Sequence, residues 1–505
     1  MVTPRLHPSL LPQLPSAVIR PLYDRAALRP GIVHLGVGAF QRAHLGVINE
    51  AAVVDTNDMS WGMVGVSLRR ADTRDALQPQ AGLYTVAVRD ADEKGQPREL
   101  LQVIGNLLEV LVAPENPGAV LERLASVDTR IISLTVTEKG YCHDPATLAL
   151  RWQDPDITHD LAHPLQPRSA IGMLVRGLAL RHARGLAPVT LLSLDNLPAN
   201  GCTLRGLVLA FAHRVAPALA EWIARDCTFP NSMVDRIVPR TTDEDRARTS
   251  ERLGLEDAWP VLAEPFLEWV VEDRFAAGRP AWQAGGARFV ERAEPYELLK
   301  LRMVNGTHSA LSYLGVMAGW PTVDVAVAQP ALRGYLLRLM TEEIEPTLPA
   351  LPGLDVAAYR ERLLARYANP ALQHQTRQIA MDGSQKLPQR LLGSVRQRLA
   401  SGGSIRLLAL ALAAWLHHLQ GVDEAGRKFE IQDPQAAALA DALALAHAAV
   451  TSAEPTLAAQ QRTAAFCHGV PLFGELAASP VFVNAVARHW QRLSEDGVAA
   501  TLGAL

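Results

Sequence analysis

A chain of 505 residues exceeds what one hydrophobic core usually serves, so two domains are the starting expectation. With 49% hydrophobic and 20% charged residues it has a globular composition, and a net charge of -3 gives no global pull towards nucleic acid or an anionic membrane, which leaves a small molecule as the expected partner. Cys142, Cys202, Cys227 and Cys467 stand far apart without a CxxC pair, against a zinc knuckle or a disulfide scaffold and in keeping with the cytoplasm.

In chain order, Met1 to Val18 is broken by prolines and lacks the apolar run of a signal peptide. From residue 31 to about 225, short β-rich runs alternate with longer helical patterns, the rhythm of a parallel α/β sheet with crossover helices. Ile32 to Leu35, Met63 to Val66, Ile131 to Val136 and Val189 to Leu194 read as strands buried on both faces, because they are continuously apolar. Arg168 to Ala183 and Leu204 to Ala224 carry helical spacing and flank the last of them. Pro260 to Pro280 reads as a connection between domains. After about residue 290 the β signal fades, and Tyr359 to Tyr367, Ser404 to Leu419 and Pro434 to Val450 read as helices. Leu407 to Leu416 is about half the roughly 20 residues that cross a bilayer, and reads as a buried helix.

Directly after the first strand comes Gly36-Val37-Gly38-Ala39-Phe40-Gln41, followed by a helical stretch. A strand-to-helix turn with two glycines lets main chain approach a pyrophosphate, so Gly36, Gly38, Ala39 and Phe40 are candidate cofactor-binding residues. Gln41 replaces the third glycine of GxGxxG, and an isolated GxG often marks only a tight turn. After the second strand, Asp72 is placed to reach a ribose hydroxyl, while Arg69 or Arg70 suits a 2′-phosphate; NAD is the expected cofactor and NADP stays open.

The segment Glu297 to His308 is the candidate chemical centre. On a regular α-helix, at about 100° per residue, Lys300, Glu297, His308 and Asn305 fall in that angular order within an arc of roughly 140°. A lysine whose charge is disfavoured by burial can exchange the hydroxyl proton while hydride leaves carbon, and an asparagine amide can stabilise the developing oxyanion. Gly306 leaves room for a ligand or another backbone to approach.

The strings GVGAFQRAHL, SLTVTEKGY, SLDNLPANG, FPNSMVDRIVP and KLRMVNGTHS, in this order, resemble the signatures of the mannitol dehydrogenase and fructuronate reductase family; DGSQKLPQR extends the likeness into the C-terminal half. The resemblance implies acid/base, oxyanion-stabilising and substrate-orienting roles for Lys300, Asn305 and His308, a proton-relay role for Glu297, and an active-site role for Asn196. It adds Val234, Asp235 and Lys386 as substrate-binding residues. The fold it implies is α/β: a Rossmann-like dinucleotide-binding domain over residues 1–289, then a mainly α-helical substrate-binding and catalytic domain over 290–505, with the active site in the cleft between them and a monomer as the unit.

Two departures bear on the substrate. Gln41 stands where the family often has histidine, and Gln378 where polyol-oxidising members carry arginine, with Arg377 beside it as a substitute. TVTEKGYC and DGSQKLPQRLL resemble the fructuronate-reducing branch, in which Lys386 and Arg390 would hold a sugar-acid carboxylate. The expected reaction is therefore D-mannonate with NAD to D-fructuronate with NADH, the alternative being mannitol to fructose. Three rivals stand beside it. Tyr296 and Lys300 form the YxxxK of a short-chain dehydrogenase, but far outside the nucleotide domain where it belongs. A zinc enzyme needs clustered ligands that the scattered histidines, His417 and His418 included, do not supply, so no metal is expected. A non-catalytic sensor would keep the glycine turn and have no need of Lys300.

Overall fold

In the computed structural model, which describes residues 3–91, 96–144, 147–351 and 353–505, five parallel strands form the central sheet of the first unit. Their order is Leu107–Val112, Met63–Ser67, Ile32–Leu35, Ile131–Leu134, Thr190–Ser193. The chain reverses its direction of travel across the sheet at Ile32–Leu35, leaving a crevice at the carboxyl ends of that strand and Ile131–Leu134, where open α/β sheets bind ligands. Ile32–Leu35, Ile131–Leu134 and Thr190–Ser193 are buried at every position, including their polar members His34, Ser133, Thr190 and Ser193.

One polar chain crosses that interior. His34 Nδ1 lies 2.8 Å from Ser133 Oγ and Nε2 lies 2.8 Å from Thr135 Oγ1, whose hydroxyl donates to Gly36 O at 2.8 Å. With the Thr135 proton committed to Gly36, Nε2 carries the imidazole hydrogen and Nδ1 accepts from Ser133. Burial pushes the His34 pKa down to about 3, so the ring stays neutral.

Two smaller sheets complete the first unit: Pro97–Ile104, Tyr84–Ala91 and Val261–Ala263 in one, and Ala287–Val290, Glu268–Glu272 and Ser232–Asp235 in the other. Pro260 to Pro280 is thus no connector. Its strands place Val261, Trp269 and Val271 in a buried core with Ile32 and Ile48, and its prolines bracket strands where punctuation between domains was expected. The helix expected over Leu204 to Ala224 is two helices, Asn200–Val215 and Pro217–Asp226. Pro217 takes the first position of the second helix and leaves Ala216 extended at φ -161°.

From Leu298 to the last residue the chain belongs to the second unit and is helical, with no strand among its described residues from 298 on. Its core is built around Arg406–His418, buried from Leu407 to His418 because its sequence is apolar on all sides. Gly306–Met317, buried throughout, and Pro480–Glu495 pack against it. No helix among the described residues is long and apolar enough to cross a membrane.

Candidate active site and cofactor groove

Gly36 sits at φ +90°, and a Cβ there would lie 2.1 Å from Thr135 O, so only glycine lets the first strand and the strand beside it close at the turn. Gly38 differs: its φ is -124°, and a Cβ would meet nothing nearer than Gly36 O at 3.7 Å. Its vacant face lies on a groove of about 1120 Å³ lined by Gly36, Gly38, Ser67, Asp72, Thr135 and Thr137 among others. A groove of that size, with a bare main-chain turn at its floor, fits a dinucleotide. Asp72 opens the helix Asp72–Leu77, accepts from Thr73 N at 3.1 Å and pairs with Arg70 at 3.5 Å; Arg69 and Arg70 line the same groove. Ala39 and Phe40 are outside the lining. Ala39 is exposed, and Phe40 stacks on His44, a core histidine bonded to Glu268 O and held down to about 4 by burial.

The groove's far wall is the segment Thr135–Tyr141. Gly140 lets Val136 pack where a Cβ would stand 2.9 Å from it, and Tyr141 is fully buried. Thr137 adopts φ 62°, ψ 163°, a region almost reserved for glycine and costing about 1–3 kcal/mol for other residues. Asp195, just after the strand Thr190–Ser193, offsets it. Its carboxylate accepts from Val136 N at 2.9 Å, Thr137 N at 3.1 Å and Tyr141 OH at 2.8 Å. Burial raises the Asp195 pKa, and these three donors oppose the rise.

Asn196 follows in the loop to Asn200–Val215. That loop is fixed by Asn200, whose amide donates to Asp195 O at 3.1 Å and to Ser232 O at 2.8 Å while its oxygen accepts from Ser232 N at 2.9 Å. Gly201 permits the approach, since a Cβ there would lie 2.4 Å from Pro230 O. Asn200 thereby ties the strand Ser232–Asp235, which carries Val234 and Asp235, to the Asn196 loop. Asp235 is nearly buried, whereas the Val234 side chain belongs to the hydrophobic core. Glu297 accepts from Ala199 N with both oxygens at 3.2 Å, so it too bears on the Asn196 loop.

In the second unit the regular helix expected through Lys300 is absent. Glu294–Leu299 is α-helical, Lys300–Asn305 is π-helical, and Gly306–Met317 resumes the α-helix. Gly306 N reaches Leu301 O, five residues back, so the turn holds more than 3.6 residues and the 100° spacing fails across it. The neighbouring segment Pro388–Leu392, also π-helical, comes close at this point: its Arg390 O would be 2.9 Å from a Cβ at Gly306. Gly306 serves the approach of another backbone. Tyr367 OH donates to Val304 O at 2.9 Å, occupying a carbonyl of the widened turn.

His308 stacks on Tyr367 with ring centroids 4.4 Å apart and meets His374 edge-on at 5.9 Å. Its Nε2 is buried without a hydrogen-bond partner among the described residues. Burial, then His374, Arg366, Arg390 and Lys300, hold His308 well below the usual histidine range. Lys300 is only 6% exposed. Arg390 donates to Ser309 Oγ at 3.2 Å and reaches Asn305 O at 3.5 Å; Lys386 donates to Met381 O at 2.7 Å. Arg377 lies away on the ring of Phe429, 5.3 Å from its centroid, and Gln378 is exposed.

Two family models cover most of the chain: the mannitol dehydrogenase Rossmann domain over residues 30–284 and the mannitol dehydrogenase C-terminal domain over 292–494. The chain belongs to the mannitol dehydrogenase family. It is 42% identical to the D-mannonate oxidoreductase of Escherichia coli, over 97% of this chain and 98% of that protein, and 42% identical to the mannitol 2-dehydrogenase of Phaeosphaeria nodorum over 86% and 76%. Among solved structures, the Pseudomonas fluorescens mannitol 2-dehydrogenase in ternary complex with NAD and D-mannitol matches at a TM-score of 0.84 and 36% identity over 99% of both chains.

As a member of the mannitol dehydrogenase family the protein is an oxidoreductase acting on CH–OH groups. Within each unit the family motifs converge: Gly36 with Thr135 and Asp72 on one groove, Asn196 with Val234, Asp235 and Glu297 through the loop before Asn200, and Lys300, His308 and Arg390 in the second unit. Asp195, Thr137, Asn200, Tyr367 and His374 were not singled out by sequence reasoning. Asp195 and Asn200 lie inside a quoted motif, SLDNLPANG, and the demand for a partner on every buried carboxylate and amide was the available signal. Tyr367 and His374 carry no local signal, because their contact with His308 spans about 60 residues of helical chain.

Proposed function

We propose that the protein interconverts D-fructuronate and D-mannonate with NAD. The observation that carries this reading is the cationic setting of His308, where Arg366, Arg390 and Lys300 all bear on the ring and Lys386 bears on the adjacent His374. Such a field favours a substrate with a carboxylate over a neutral polyol. The exposed Gln378 and the diversion of Arg377 onto Phe429 weaken the case for a polyol, and the near full-length likeness to a D-mannonate oxidoreductase supports the same reading.

When bound, NAD supplies the hydride acceptor for oxidation and, reduced, the donor for reduction. Lys300 delivers a proton to the carbonyl oxygen during reduction and removes it during oxidation. Asn305 and Asn196 donate to the oxygen as charge develops on it. His308, neutral because of its surroundings, orients the sugar hydroxyls through its partnerless Nε2. Arg390 and Lys386 hold the carboxylate, and Asp235 binds hydroxyls at the end of its strand. Glu297 passes the proton to solvent.

Oxidation of NADH and of NADPH with D-fructuronate, D-tagaturonate and D-fructose in parallel tests the reading. Fructuronate should exceed fructose in kcat/KM by about 10- to 100-fold, the worth of a hydrogen bond between charged groups. A higher kcat/KM for fructose would move the protein to the polyol branch, to which the structural likeness to a mannitol 2-dehydrogenase points.

A further inference from the structure

We infer that Asp195 is a positioning residue, which holds Thr137 in a strained conformation so that the Thr135–Thr137 wall of the groove meets the nicotinamide half of the cofactor. The inference rests on the reading of the groove as the NAD site. The glycine turn marks the pyrophosphate position, and the ribose-reading residues Arg69, Arg70 and Asp72 follow Met63–Ser67 on one side of it. The nicotinamide half then falls to the other side of the crevice, where Thr135, Val136 and Thr137 follow Ile131–Leu134.

Three observations single out Asp195. Thr137 is β-branched at φ 62°, ψ 163°, so the turn would relax without an external hold. Asp195 accepts both consecutive main-chain N–H groups of that turn, at 2.9 and 3.1 Å. A third donor to it is Tyr141 OH at 2.8 Å, and Tyr141 in turn lies 2.6 Å from Ser193 Oγ, which anchors the carboxylate to the strand before it. The next residue is Asn196, so one side chain sets both the groove wall and the start of the loop bearing an oxyanion donor.

An asparagine at 195 has one acceptor oxygen. In either amide orientation its NH2 group faces a main-chain N–H, so Val136 or Thr137 loses its acceptor. The test compares binding of NADH with that of ADP-ribose, which lacks the nicotinamide, by calorimetry on the full chain. Asp195→Asn should raise the Kd for NADH roughly tenfold or more, as expected for one lost hydrogen bond to a charged acceptor, and leave that for ADP-ribose within about twofold. Adding Thr137→Gly, which makes the same φ and ψ freely accessible, should return the NADH Kd to within about threefold of wild type. A merely structural role predicts otherwise: the two Kd values would rise together, or glycine would rescue neither, and either result overturns the inference, as does an unchanged NADH Kd. Wild type that binds neither ligand would instead bring down the cofactor reading, and the inference with it.

Discussion

Gly36 and Lys300 mark two kinds of construction. Around Gly36 the first unit works with main chain: a glycine at φ +90° against a carbonyl, a bare face at Gly38, and two N–H groups held by Asp195. Around Lys300 the second unit works with side chains gathered onto a widened helical turn, His308 against Tyr367 and His374, Arg390 against Ser309. The first arrangement suits a ligand recognised by its phosphates and shape, the second a reaction that needs a proton moved and charge placed. The contrast implies that binding of cofactor and turnover of substrate can be damaged separately.

The largest separation is expected at Lys300. Lys300→Ala should lower kcat by about 10²- to 10⁴-fold or more while the NADH Kd stays within about twofold, and Tyr296→Phe should change the rate little. Stopped-flow turnover beside calorimetry reads both; a dead Tyr296→Phe with an active Lys300→Ala would give the chemistry to the YxxxK pair. The glycines should separate folding from binding. Gly36→Ala forces a Cβ onto Thr135 O and should destabilise the protein by about 2 kcal/mol or more in thermal melts. Gly38→Ala should cost about 1 kcal/mol at most, yet raise the NADH Kd about tenfold by filling the groove floor. Equal melting losses for the two would erase the distinction between them.

A separate effect, on acid stability, reads the cores of the two units. His418 is buried and its pKa is lowered from 6.5 to about 4 by burial, then by Arg377 and His417. The unfolded chain therefore takes up the proton first. The stability from keeping this ring neutral is complete above about pH 6.5 and is lost as pH falls from there towards 4, by up to about 3 kcal/mol. His417 and His489, also near 4, add to the acid limb of the second unit, as His34 and His44 do in the first. His418→Gln should flatten the fall of Tm between pH 6.5 and 4; an unchanged slope would remove His418 from the account.

How much could be read beforehand follows from the same contrast. Strands buried on both faces announce themselves as apolar runs, and Gly36 and Gly38 appear where a strand meets a helix, so four of the five central strands and the glycine turn were visible, whereas Leu107–Val112, half-buried at the sheet edge and interrupted by Glu109, escaped. Pro97–Ile104 escaped because Arg98, Glu99 and Gln102 interrupt a strand with an exposed side. Val261–Ala263 and Glu268–Glu272 escaped because prolines flank them. Lys300, Asn305 and His308 stood out through their motif, but their mutual angle did not, since the segment winds as a π turn whose end packs against Arg390 O, about 85 residues away. No window of local sequence contains that contact.

The widened turn at Lys300–Asn305 sets a rule for altering this enzyme. A π turn accommodates a residue that a regular helix would have no place for. Closing the segment into an ordinary α-helix at its present length would swing Asn305 and His308 by about 100° about the axis relative to Lys300, whereas removing one residue between Lys300 and Gly306 as the turn closes would return them close to their present angle. In the first case the composition would not change at all, yet the proposed acid/base would lose its companions. The winding between positions 300 and 306 is thus as much a part of the proposed site as the identity of its side chains, and a library that varies residues while holding that length explores a different space from one that permits a single gap.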